Sequence, residues 1–434
     1  MPNEESFARL PGFRDFPPQE LAFRQHIFDA WRRVSRRYGF LEYDGPPLEG
    51  LELYTAKSGD EIVGQLYNFQ DKGDREVALR PEMTPSLARI LADRSRSLPK
   101  PIRWFSVPQL FRYERQQRGR LREHFQWNVD VVGEADVSAD AEVLAVALDG
   151  LRELGLDEMD FRARVSDRRL LRAVLEEAGV PSGEMESAFQ VVDKVERESD
   201  ERTLERLGEL GLKPTAARKV LELLQAPGLE RVQEHYGDRD AVGPVLEDLH
   251  RYLEDLAALG LEEYVEVDLR IVRGLAYYTG IVFELFDRKG ELRAICGGGR
   301  YDRLLELVGG ESLPAVGFGM GDVVLGELLR DRGLSPHFRR EVDLFIVAIG
   351  DDLRPLARRV AAAERARGRS VVYGLRSQSV RKQFSQAGAE GARRTLVLGP
   401  EEVSRGVAVL RDMQDGEERE VALESFFPDR REGL

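Results

Sequence analysis

The sequence predicts an α+β protein in three parts: a mainly β region flanked by helices, a helical module inserted into it, and a C-terminal α/β domain. Three observations carry this prediction. Short β-type runs separated by turns fill residues 66–132 and resume at 264–271 and 277–286. Residues 168–260 are instead rich in Leu, Glu, Ala and Arg with helical periodicity, punctuated by Pro181, Pro214 and Pro227. Beyond residue 340, strand and helix patterns alternate, as a small α/β domain requires. At about 150 residues per domain, a chain of 434 residues holds two or three such units.

In chain order, residues 19–38 form a helix, because Leu21, Ile27, Phe28, Trp31 and Val34 recur near helical spacing and Gly39 ends the run. Residues 40–43 read as a short strand before Gly45-Pro46-Pro47. A helix near 85–93 interrupts the β-type region, and 138–154 returns to helix. Further helices follow at 300–307 and 322–330, and Pro336 with flanking charges marks 333–340 as a linker. The C-terminal domain then reads as strand 342–349, helix 353–367, strand 370–373, helix 380–389 and strand 394–398. No internal repeat or low-complexity tract is present.

Composition narrows the class of function. With 42% hydrophobic and 33% charged residues, no apolar run approaches the roughly 20 residues of a membrane span. Residues 1–10 carry acids and no long apolar stretch, unlike a secretory leader. Cys296 is the single cysteine, so an intramolecular disulfide is excluded and a cytoplasmic location is expected. One Cys and five His leave no set with structural-zinc spacing, and no tightly bound metal is expected. The net charge of −14 argues against a wholly basic nucleic-acid binder. A local patch at 111–122, where Arg112, Arg115, Arg118, Arg120 and Arg122 face only Glu114, fits either phosphate contacts or a solvated surface.

Four stretches carry candidate chemistry. In the first, a strand reaching Arg115 and a second from His124 form a hairpin. Alternation puts Arg112 and Glu114 on one face, and Gln126, Asn128 and Asp130 on another, opposite Phe125, Trp127 and Val129. Such a polar face suits a zwitterion and a phosphate, and equally a solvated face of a half-buried sheet. In the second, Arg273-Gly274-Leu275-Ala276-Tyr277-Tyr278-Thr279-Gly280, a guanidinium beside two rings fits an anion next to a planar group, or a core strand. In the third, Cys296-Gly297-Gly298-Gly299-Arg300-Tyr301-Asp302, glycines are placed ahead of a helix and bring backbone N–H groups near a ligand, or simply make a turn; residues 313–322, LPAVGFGMGD, are similar. In the fourth, LRPEMT at 79–84, Glu82 is either a carboxylate for an ammonium group or an acid at a helix start.

LRPEMT, FRYERQQRGR, RGLAYYTG, CGGGRYD and PAVGFGMGD together resemble, in order and spacing, the histidyl-tRNA synthetase family, over residues 11 to about 421. FRYER and its loop are similar to motif 2 of class II synthetases, residues 19–47 to motif 1, and RGLAYY and CGGGRYD to the two histidine motifs. The resemblance implies a six- or seven-stranded antiparallel sheet flanked by helices. It divides the chain into a catalytic domain at 1–167 and 261–332, a helical insertion at 168–260, and an anticodon-binding α/β domain at 341–434. It implies a homodimer acting on histidine, ATP with Mg2+, and tRNA(His). By position, Arg112 would hold the α-phosphate, Glu114 the adenine end and Arg120 the outer phosphates. Glu82, Thr84 and Gln126 would surround the histidine α-amino group. Asp130 and Tyr278, with Tyr277, would face the imidazole, and Arg273 would bridge the carboxylate and the α-phosphate.

The chain departs from the family pattern at four places. Asp130 replaces a usual Glu and Ala276 a usual Asp. His124-Phe125-Gln126 stands where Phe-His-Gln is frequent, which makes His124 the candidate ring against adenine. Gly321-Asp322-Val323-Val324 stands where motif 3 has G-L-E-R, so its arginine is missing. Two other readings belong to the same resemblance: the synthetase-like regulatory subunit of ATP phosphoribosyltransferase, and a catalytically inactive tRNA-binding paralogue. The regulatory subunit typically lacks the C-terminal domain and has degraded motif 2 and Arg-Gly-Leu residues, which this chain keeps.

Overall fold

The computed structural model describes residues 8–58, 60–115, 117–226, 228–272, 278–338 and 340–427. The chain divides into two compact units, Met1–Pro336 and His337–Leu434, and each is described by itself.

In the first unit, the opening helix Pro18–Arg37 starts on a proline, carries Glu20 in its first turn and ends on Arg36 and Arg37, complementing its dipole at both ends. Its apolar stripe, with Ile27, Phe28, Trp31 and Val34, is buried. Trp31 stacks on Trp127 of the sheet, ring centroids 5.8 Å apart, and the Trp127 indole donates to Ser35 Oγ at 2.9 Å. Gly39 takes φ +76°, which turns the chain out of the helix and into the edge strand Leu41–Glu42.

The central sheet has nine strands. Across it the order is Leu41–Glu42, Ile102–Ser106, Glu123–Val132, Ala315–Gly321, Cys296–Arg300, Ile281–Asp287, Phe161–Asp167 and Val265–Val267, with Gln109–Phe111 paired to the start of Glu123–Val132. The six inner strands are antiparallel, as expected, but both outermost pairings are parallel. Parallel neighbours need long crossovers, and the sequence supplies them. The helices from Arg168–Ala178 to Gly243–Ala258 are the crossover between Phe161–Asp167 and Val265–Val267. Leu170, Val174, Leu249 and Tyr252 of those helices share one hydrophobic cluster with Trp31, Trp127 and Phe283.

One expectation is overturned here. Gly297-Gly298-Gly299 does not open a helix at residue 300; it lies inside the buried strand Cys296–Arg300, and the helix begins only at Leu304. The cause is space. A Cβ on Gly298 would sit 2.5 Å from the Gly317 carbonyl oxygen and 2.6 Å from Phe318 Cβ, so no side chain fits between these strands. Residues 315–321 are likewise a strand, with Gly317, Gly319 and Gly321 in register with Asp130, Asn128 and Gln126. The first hairpin strand also ends earlier than expected, at Phe111. The short helix Glu52–Ser58 was not foreseen.

A separate three-stranded sheet, Leu48–Gly50, Glu76–Leu79 and Asn68–Gln70, leads into the helix Thr84–Arg94. Arg80 is buried at this junction and donates to Gly45 O at 2.7 Å, Asp44 Oδ1 at 2.8 Å and Gln109 O at 3.0 Å. These bonds fix the turn that carries Glu82 and Thr84.

The second unit is a five-stranded sheet in the order Val371–Tyr373, Val342–Ala348, Ala392–Leu398, Val407–Asp412, Glu418–Ala422. The first three strands are parallel and the last two antiparallel. Helices Arg354–Ala366 and Val380–Ala389 fall within a residue of expectation. The last two strands were not anticipated individually, although Asp415-Gly416, with Gly416 at φ +78°, is a hairpin-turn signal between them.

Candidate active site

The glycines of the two central strands make a floor without side chains. In the register of the sheet Gly297 opposes Gly319 and Gly299 opposes Gly317. Directly opposed residues of antiparallel strands share a face, so the polar side chains of Glu123–Val132 lie over this bare strip. The approach is close: a Cβ on Gly317 would fall 2.2 Å from Asp130 Oδ1, and one on Gly319 2.6 Å from Gln126 Cδ. Two adjoining cavities rest on the floor and share Arg112, Gln126, Gly297 and Gly319.

The smaller cavity, about 80 Å³, is lined by Glu82, Thr84, Gln126, Asn128, Asp130 and Tyr278, among others. Asp130 is almost fully buried, and the Tyr301 hydroxyl donates to its Oδ1. Burial pushes the Asp130 carboxyl up to about 7, against the opposing pull of the Tyr301 hydrogen bond. Asp130 is therefore an acid that titrates near neutrality within reach of a small ligand. The Asn128 amide donates to Gln126 O at 3.2 Å.

The larger cavity, about 320 Å³, carries Glu114, Arg120, His124, Arg293, Val323 and Val324 beside the shared residues. Arg120 is ion-paired with Glu114, and Arg112 Nε donates to Pro81 O at 3.0 Å. The loop between Gln109–Phe111 and Glu123–Val132 turns at Gly119, φ +73°. His124 is held neutral: burial, then the nearby Arg112, Arg14 and Arg120, lower its pKa to about 3. An uncharged ring is the state suited to lie against a nucleobase.

Asp322 lies behind this cavity at the start of the helix Asp322–Asp331. Its Oδ1 accepts the Phe125 backbone N–H at 2.8 Å and its Oδ2 accepts from Arg14 Nη1 at 2.9 Å. Arg14 also donates to Glu123 Oε1 at 2.6 Å. The departure from G-L-E-R thus has a structural use, tying the helix to the strand that carries His124 and Gln126.

Every site residue named from the sequence and described in the structure lies on one of the two cavities: Glu82, Thr84, Asp130 and Tyr278 on the smaller, Glu114, Arg120 and His124 on the larger, Arg112 and Gln126 on both. Arg273 and Tyr277 lie outside the described residues. Sequence reasoning gave no site role to Asn128, Tyr301 or Arg293. Asn128 shares the alternating face of Gln126 and Asp130, and Tyr301 stands inside CGGGRYD, so both carried a signal. Two of the five arginines of the basic patch are compensated: Arg118 pairs with Glu327 at 3.1 Å and Arg120 with Glu114. Among the described residues, no group of His, Cys, Asp and Glu has metal-binding geometry.

In the second unit, a cavity of about 180 Å³ at the carboxyl ends of Val342–Ala348 and Val371–Tyr373 is lined by Arg354, Arg358, Arg376, Gln378 and Gln383. Arg393 pairs with Glu341 at 2.5 Å and Arg394 with Asp412 at 3.7 Å.

A family model described as histidyl-tRNA synthetase matches residues 12–321, a span that holds the smaller cavity and all of the larger one except Val323 and Val324. The chain belongs to the histidyl-tRNA synthetase family. A model described as an anticodon binding domain matches 343–428. A histidine–tRNA ligase of Opitutus terrae is 45% identical over 424 residues, 96% of this chain and 97% of that protein. The chloroplastic/mitochondrial histidine–tRNA ligase of Arabidopsis thaliana is 40% identical over 412 residues, 95% of this chain and 84% of that protein. The crystal structure of histidyl-tRNA synthetase from a Nostoc species matches with a TM-score of 0.80 at 25% identity, covering 97% of this chain and 98% of that one.

Proposed function

We propose that the chain is a histidine–tRNA ligase that activates histidine with ATP to histidyl-adenylate and pyrophosphate, then transfers histidine to the 3' end of tRNA(His). The observation that carries this is the pair of adjoining cavities sharing Arg112 and Gln126. Activation needs an amino acid and a nucleotide held so that a carboxylate meets an α-phosphate, and the junction of the cavities is that meeting place.

In this reading Glu82, Thr84 and Gln126 receive the α-ammonium group. Asp130, set by Tyr301, accepts a ring N–H of the imidazole beside Tyr278. His124 and Glu114 frame adenine. Arg112, and Arg273 from the segment outside the described residues, neutralise the α-phosphate so that the anionic carboxylate can approach. The carboxylate oxygen bonds to the α-phosphorus as the bond to the bridging oxygen breaks, and pyrophosphate departs with that electron pair. A terminal ribose hydroxyl of tRNA then attacks the carbonyl and AMP leaves. Positioning and fixed charge do the catalysis, and no side chain forms a covalent intermediate. Mg2+ accompanies ATP as part of the substrate.

In the second unit, ligands of α/β sheets gather at the carboxyl ends of the strands. Arg358 and Arg376 lie there and carry no ion pair among the described residues, whereas Arg393 and Arg394 face acids. The anticodon contact is therefore assigned to the Arg376 side. For the homodimer, support comes from the short edge strand Leu41–Glu42 in the motif 1 segment, where Leu41 is 67% exposed. No helix among the described residues is long and apolar enough to cross a membrane, in keeping with a cytoplasmic enzyme.

The test is histidine-dependent exchange of pyrophosphate into ATP, followed by charging of tRNA(His). Both activities are expected. Absence of exchange in a folded protein that still binds tRNA would replace this reading by the inactive paralogue.

A further inference from the structure

Three arginines line the larger cavity, and their charges are used differently. Arg120 is ion-paired with Glu114. Arg112 stands at the junction with the smaller cavity, its Nε given to Pro81 O. Arg293 is the third. Its Nη1 donates to the neutral amide oxygen of Gln117 at 3.2 Å, and it has no acidic partner among the described residues. It lines the larger cavity and not the smaller one. A guanidinium at a cavity rim with its charge uncompensated is a ready anion contact.

Its placement indicates which anion. In an in-line displacement the leaving pyrophosphate lies across the α-phosphorus from the attacking carboxylate. The carboxylate comes from the smaller cavity, so the outer phosphates extend into the larger one, away from the shared residues. Arg293 lies four residues before Gly297 of the floor, at most about 13 Å along the chain. Ile295 N donates to Leu285 O at 2.8 Å, which holds this approach to the strand in place.

The wall beside it is also informative. Val324 occupies the position where the family pattern has the motif 3 arginine, and it is buried. From the point where a Cβ on Gly119 would stand, Val324 Cγ2 is 3.2 Å away and Arg293 Cδ 3.8 Å. Valine and the arginine stem thus flank the same loop glycine, and the cation reaches the cavity from the strand side.

We propose that Arg293 binds the outer phosphates of ATP and stabilises the departing pyrophosphate. This rests on reading the larger cavity as the ATP site. Arg293 transfers no proton; it balances charge that grows on the bridging oxygen as the bond to the α-phosphorus breaks.

The experiment compares the full-length wild type with Arg293→Ala and Arg293→Lys. Pyrophosphate exchange, equilibrium binding of ATP and of AMP, and transfer of histidine from synthetic histidyl-adenylate to tRNA are measured for each. Arg293→Ala is expected to weaken ATP about 10- to 100-fold and slow exchange on the same scale. Histidine KM, AMP affinity and transfer from the adenylate should stay within about twofold. Arg293→Lys should recover part of the loss. Unchanged ATP affinity in Arg293→Ala overturns the proposal. So does a parallel fall in AMP affinity, which would place Arg293 against the nucleoside. A folded wild type with neither ATP binding nor exchange would overturn the ATP-site reading, and this assignment with it.

Discussion

Asp130 offers a test in which the protein's own titration is read out in substrate binding. Its carboxyl is raised to about 7 by burial, from an ordinary value of about 3.9. If the ionised form accepts the imidazole N–H, only about one molecule in ten is competent at pH 6. The histidine KM should therefore be about tenfold higher at pH 6 than on its plateau above pH 8. Free histidine titrates in the same window, so the wild type is compared with Asp130→Asn, which keeps the ligand's titration and loses the protein's. The asparagine variant should show a raised histidine KM, a flatter profile and an unchanged ATP KM. Stability supplies a second reading with a defined sign. Between about pH 4 and pH 7 the folded state holds a proton on Asp130 that the unfolded chain has released. Rising pH through that window thus destabilises the ligand-free protein, and the loss is complete above pH 7. Three pKa units at about 1.4 kcal/mol each set its scale at about 4 kcal/mol. Denaturant unfolding at pH 5 and pH 8 should show this slope in the wild type and not in Asp130→Asn. Identical pH profiles of histidine KM in the two proteins would refute the reasoning.

Three other perturbations follow from the same structure. Gly317→Ala puts a Cβ 2.2 Å from Asp130 Oδ1 and 2.6 Å from the Val129 carbonyl oxygen, so it should cost about 1–3 kcal/mol of stability and abolish histidine-dependent exchange; thermal unfolding and exchange check both. Asp322→Asn removes one of the two negative partners of Arg14, leaving Glu123, and weakens the acceptor for Phe125 N–H; an unfolding free energy lower by about 1–3 kcal/mol in denaturant titration and a raised ATP KM are expected, and a variant unchanged in both would count against its tie to the His124 strand. Arg376→Ala should raise the tRNA KM and reduce the salt slope of tRNA binding by about one while exchange is untouched, whereas Arg393→Ala, which loses its pairings with Glu341 and Asp343, should change neither.

Much of the site could be read from residue pattern because it lies on a strand. The period of two in Gln126, Asn128 and Asp130 against Phe125, Trp127 and Val129 put the polar groups on one face, and the cavities lie on that face. The helix Val380–Ala389 was legible to the residue, because a Ser cap and helical spacing are local properties. The glycine runs were not. A glycine announces a turn or a close approach equally well, and only the neighbouring strand, distant in sequence, decides between them. Arg293 was invisible for a related reason, since nothing within the segment 288–293 distinguishes a cavity cation from a solvated one. The parallel outer pairings likewise depend on partners far along the chain: Phe161–Asp167 meets Val265–Val267 only after the whole helical module.

The bare floor also limits how the site can change. A pocket built from side chains can be retuned one substitution at a time, each step enlarging or narrowing it slightly. Here the surface under both substrates is main chain at closest packing, and the smallest addition, a methyl group at residue 299 or 317, already collides with backbone oxygen. Altered amino-acid preference must therefore come from the walls, through residues such as Asp130, Tyr278 and Tyr301, and a route through the base is closed to both natural drift and directed evolution.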